Sequence, residues 1–112
     1  MVKRSFTAVL ERNRRFAGDF ETEPYETAWA SEARWFVRIL DMRGTGTIFE
    51  AEPEISPDGL FWCPEGNKGI VTNGPGLYSF ALRDFGHWVR LSGKVSGENA
   101  SVTVIIYLAL KE

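Results

Sequence analysis

The run ASVTVIIYLAL at residues 100–110 sets Val102, Val104, Ile106, Leu108 and Leu110 at every second position, with Ile105, Tyr107 and Ala109 between them. Successive side chains of a strand point to opposite faces, so this spacing predicts a β-strand with one fully apolar side. Because the intervening residues are apolar too, the strand is expected to be central and covered on both sides.

The same period recurs along the chain. FTAVLE (6–11) aligns Phe6, Ala8 and Leu10, and RWFVRILDM (34–42) sets Trp35, Val37 and Ile39 against Phe36, Arg38 and Leu40. TIFEAEPEI (47–55) sets Phe49, Ala51 and Ile55 against Glu50, Glu52 and Glu54, and LYSFALRDF (77–85) alternates again. Turn chemistry falls between these runs. Arg43-Gly44-Thr45-Gly46 reads as a chain reversal, and Ser56-Pro57-Asp58-Gly59 as a β-turn returning into Leu60-Phe61-Trp62-Cys63. GNKG (66–69) and NGPG (73–76) bracket a short IVT strand, and Gly97-Glu98-Asn99 joins 87–97 to 100–110 as a hairpin. Pro53 lacks an N–H, which places its strand at an edge or at a bulge. ETAWASEARW (26–35) has room for one helical turn. The expected fold is therefore all-β: an antiparallel, jelly-roll-like β-sandwich of seven to eight strands, forming a single domain over 1–112 with a basic N-terminal arm at 1–15.

Charge is unevenly distributed along the 112 residues, whose formal net charge is −2. Residues 1–15 carry Lys3, Arg4, Arg12, Arg14 and Arg15 against Glu11, whereas residues 16–54 carry nine acids against three arginines. Such a split suits pairing within a chain, pairing between copies, or contact of the basic leader with an anionic partner. With a single aromatic in RNRRF and an acidic total, nucleic acid is not expected as the main partner. The single cysteine, Cys63, excludes an internal disulfide. The N-terminus lacks the long apolar core of a signal peptide, and no run approaches a membrane span, so the expected location is cytoplasmic or particle-associated.

No catalytic set emerges. His87 is the only histidine, with Asp84 nearby and Ser79 and Cys63 elsewhere, and no nucleophile-elbow pattern links them. One His and one Cys cannot close a zinc site, and no cofactor is expected. NGPG lacks the spacing of a phosphate loop. Asn99-Ala100-Ser101 matches a glycosylation acceptor. Glu50, Glu52 and Glu54 share one strand face, where residues two apart are separated by roughly 7 Å, within the range that paired glycosidase carboxylates use. The same alternation describes any solvent-facing strand. Trp35 alternates with core residues, but Trp29, Trp62 and Trp88 are free to stack on a sugar or to enter a subunit interface.

Ser56-Pro57-Asp58-Gly59-Leu60-Phe61-Trp62 and Phe85-Gly86-His87-Trp88-Val89-Arg90-Leu91 together resemble the S-x-D-G-x-x-W … R-Y-[VI]-R-[LI] cadence of discoidin-like, galactose-binding-type jelly rolls. Trp88 stands where that pattern has Tyr, and His87 where it has Arg. The resemblance implies a β-sandwich in which the Asp-Gly turn ties two strands together. In length and basic N-terminus the chain is also similar to small phage and bacterial coat or decoration sandwiches. The leading expectation is a non-enzymatic, self-associating structural subunit, a homo-oligomer in which Arg12, Arg14 and Arg15 meet Glu50, Glu52 and Glu54 of a neighbour. A carbohydrate- or surface-binding module with Trp29, Asp58, Trp62 and Trp88 as its ligand edge is the alternative, and a small glycosidase or isomerase using the strand glutamates the third.

Overall fold

The computed structural model describes residues 4–112; Lys3, counted in the basic segment, lies outside them. Eight strands follow one another: β1 (Ser5–Phe16), β2 (Gly18–Glu21), β3 (Tyr25–Glu26), β4 (Glu32–Ser56), β5 (Cys63–Pro64), β6 (Ile70–Thr72), β7 (Gly76–Leu82) and β8 (Trp88–Lys111). All pairings are antiparallel. The fold class expected from the alternation is thus the observed one.

Two of the expected reversals are not reversals. Residues 87–97 and 100–110 form no hairpin, and Arg43–Gly46 does not turn the chain back; each segment runs through its glycines as a single strand, β4 or β8. Partner choice explains the difference. β4 and β8 pair with each other from Glu32↔Lys111 to Ser56↔Trp88, and the register slips between Ile39 and Ile48, opposite the Gly97–Asn99 stretch. Both strands therefore bend at the same place. Gly44 (φ +104°) sits so close to its partner strand that a Cβ there would lie 2.6 Å from the Glu98 carbonyl oxygen.

The bend folds the ribbon onto itself. A strand of 24 residues would reach roughly 80 Å at about 3.3 Å per residue, yet the longest dimension of the molecule is 50 Å. Moreover, the Thr27 N–H donates to the His87 carbonyl (2.6 Å) and the Ser31 N–H to the Lys111 carbonyl (2.9 Å). Four residues of chain span at most about 14 Å, so the two ends of β8 lie close together. Two layers result, continuous through β4 and β8. In the first, β1, the C-terminal half of β8, the N-terminal half of β4 and β7 lie side by side. In the second, β2 and β3 flank the N-terminal half of β8, and β6 and β5 flank the C-terminal half of β4.

Both layers contribute to one apolar cluster: Trp35, Val37, Val104, Ile106 and Leu108 from the first, Phe49, Ala51, Val89 and Leu91 from the second. Near the bend, Phe16, Phe20 and Phe49 stack at 4.1 and 5.3 Å between ring centroids, joining the residues that cross from layer to layer. The inward faces match the alternation throughout β4. The exception is β1, where bulges after Val9 and after Glu11 shift the phase. Beyond the first bulge Glu11 turns inward, whereas Phe6, before both bulges and opposite Leu110, is exposed near the start of the strand.

Three further expectations are corrected. Pro53 lies not at an edge or bulge but fully buried in central strand β4, opposite Leu91. Its carbonyl accepts from the Glu65 N–H, so its missing N–H points the same way, into the gap between β5 and β6 where no ladder bond is lost. The described part of the basic segment is no arm, since Ser5–Phe16 is strand β1 laid along β8. Finally, β8 is central but covered on one side only; Ile105, Tyr107 and Ala109 remain half-exposed on the outer face of the first layer.

Candidate functional site

The Ser56–Trp62 turn is held almost entirely by two short side chains. The Ser56 Oγ accepts from the Gly59 N–H (2.8 Å) and the Asp58 N–H (3.2 Å), and donates to Asp58 Oδ1 (3.1 Å). Asp58 Oδ1 in turn accepts from the Leu60 N–H (2.8 Å) and the Phe61 N–H (3.1 Å). These two backbone donors, joined by the Ser56 hydroxyl, hold the Asp58 carboxyl below its usual range. The turn has a physical consequence. It presents Leu60 and Phe61 to solvent at 75% and 77% exposure, the two most exposed large apolar side chains among the described residues.

Behind the tip, Trp88 covers Gly59, with ring atoms 3.2 to 3.5 Å from where a Cβ would stand. Trp62 is seated on the Arg90 guanidinium, 4.3 Å from its ring centroid. Arg90 also donates to Glu54 (2.7 Å) and pairs with Glu21 (2.8 Å). Three of the four residues expected at a ligand edge, Asp58, Trp62 and Trp88, are thus assembled around one turn. Trp29 lies at the same end of the molecule, after β3, and carries Arg4 over its ring at 4.7 Å. Arg90 was not singled out in the sequence, although its place between buried Val89 and Leu91 puts it on the outer face, opposite Glu54.

The two outer faces differ in character. On the second layer, Asp19, Glu21, Glu50 and Glu52 line a shallow cleft of about 500 Å³ with Lys68, Ser92 and Lys94. Glu54 continues this row but is engaged by Arg90. On the first layer, the outer face carries Phe36, Ile105, Tyr107 and Leu77 together with Arg34 and Arg38. Thr7, Phe36, Arg38, Leu77 and Tyr107 line a shallow, open hollow of about 370 Å³ there. The expected interface arginines divide: Arg14 pairs with buried Glu11 (3.0 Å) and leans on Phe16, whereas Arg12 and Arg15 are exposed on β1. Among the described residues, no three His, Cys, Asp or Glu side chains cluster closely enough to hold a metal ion, and no helix is long and apolar enough to cross a membrane.

No protein-family model matches the chain, and comparison with curated proteins finds no relative. The functional reading therefore rests on these surfaces alone.

Proposed function

We propose that this chain is a structural subunit that associates with copies of itself through the outer face of its first layer. The observation that carries the reading is the row Phe36, Ile105 and Tyr107, apolar groups on central strands that stay partly exposed, with no second layer over them among the described residues. A sheet with one face on the core commonly shows water a polar outer side. A contiguous apolar face rimmed by arginines has the composition of an interface, in which aromatics and Arg are enriched. The opposite outer face supplies carboxylates for such a rim, so complementary charge favours contact between copies.

Sedimentation velocity tests the proposal. The unaltered chain should sediment faster as its concentration rises, and Tyr107→Lys should sediment as a 12.6 kDa monomer with an unchanged β-sheet circular dichroism spectrum. A variant that associates as the unaltered chain does would remove the face from the reading.

A second reading, carbohydrate binding, is favoured by the polar cleft of the second layer, whose Asp19, Glu50, Glu52, Lys94 and Ser92 offer the donors and acceptors that sugar hydroxyls require. Trp62 and Trp29 already have an arginine on one ring face, which limits their use as sugar platforms. Glycan-array binding lost in Glu52→Gln but retained in Tyr107→Lys would favour this reading over self-association.

A further inference from the structure

We infer that the Leu60–Phe61 tip of one copy seats in the Thr7–Phe36–Arg38–Leu77–Tyr107 hollow of the next, so that the copies join head to tail. The inference rests on the self-association proposed above and specifies its geometry. Three observations bear on it. The tip is apolar and exposed, yet its backbone is fixed by the Ser56 and Asp58 hydrogen bonds, so little freedom is lost when it docks. The hollow is apolar in Phe36, Leu77 and Tyr107, with Leu77 63% exposed at its rim. Charge also matches: Asp58 sits in the tip, and Arg90 behind it is already paired with Glu21 and Glu54, whereas Arg38 lines the hollow and Arg34 lies beside it on the same face of β4.

Tip and hollow are different patches of one molecule. The tip springs from the end of β4 in the second layer, while the hollow lies on the outer face of the first. A contact between unlike patches is heterologous and leaves each copy with one unused tip or hollow, so it propagates into a ring or filament. A contact between two like faces would instead stop at a dimer.

Complementary blocked variants separate these cases. Leu60→Ser combined with Phe61→Ser removes the tip and leaves the hollow; Leu77→Arg fills the hollow and leaves the tip. All of these positions are more than three-fifths exposed, so both variants are expected to keep the thermal transition of the unaltered chain. By light scattering, each variant alone should be monomeric, and an equimolar mixture should form a one-to-one dimer that grows no further. Each block should weaken association of the variant with itself by at least tenfold. A tip variant that assembles as the unaltered chain does, or a mixture that stays monomeric, would overturn the head-to-tail arrangement while leaving self-association standing. An unaltered chain that is monomeric at every concentration would overturn both. Should Leu77→Arg fail to fold, Thr7→Arg blocks the same hollow from β1.

Discussion

Asp58 carries more structure than any other exposed side chain of the turn, because one carboxylate oxygen satisfies two consecutive backbone donors. Its carboxyl is held below the usual carboxylate range chiefly by the Leu60 and Phe61 N–H groups. Since the folded value is depressed, the stabilisation is present in full above the unfolded pKa and is lost as pH falls through the folded one. Titration followed by NMR should therefore show the Asp58 carboxyl protonating at lower pH than an ordinary exposed aspartate, together with shifts of the Leu60 and Phe61 amides. Simultaneous titration with an ordinary exposed aspartate would contradict the cap. At this scale the sequence was largely legible. Ser-Pro-Asp-Gly announced a turn, and the alternation identified Trp35, Phe49 and Ala51 as core and Glu50 and Glu52 as outward. Arg90 was hidden, because its importance comes from Glu21 and Glu54, partners distant in sequence and brought beside it by strand pairing.

Among the elements, β4 and β8 decide the architecture, and their glycines were the least legible feature. Arg-Gly-Thr-Gly and Gly-Glu-Asn are good turn sequences when read locally, but here they lie opposite one another and let two paired strands bend together. Local propensity identifies a break in regular strand; it does not say whether the chain reverses or only bends, since that depends on a non-local partner. Pro53 was misplaced for a similar reason, as only the gap between β5 and β6 makes a central proline tolerable. The bend can be tested by comparing two glycines. Gly44→Ala meets the Glu98 carbonyl oxygen and the Ala100 Cα at 2.6 and 2.7 Å as well as an unfavourable φ, and should cost at least about 2 kcal/mol in urea unfolding. Gly46→Ala, with φ +65° and open space around its Cβ, should cost about 1 kcal/mol. Equal costs would show that close strand approach at the bend does not matter.

For the molecule as a whole, the charge split along the sequence becomes a difference between faces: the exposed arginines of β1 and β4 belong to the first layer, and the carboxylate row of β2 and β4 to the second. The expected docking of arginines on glutamates of a neighbour thus persists as a proposal, now carried by two sheet faces and no longer by a basic N-terminal arm. Apolar groups supply the contact area, and charge sets its orientation and salt sensitivity. Static light scattering of the unaltered chain at low and at high ionic strength tests this most directly. The expected result is a mass that exceeds 12.6 kDa at low salt, grows with concentration and falls toward the monomer as salt screens the arginine–carboxylate rim. A mass of 12.6 kDa at both salt concentrations, over the full concentration range, would contradict it.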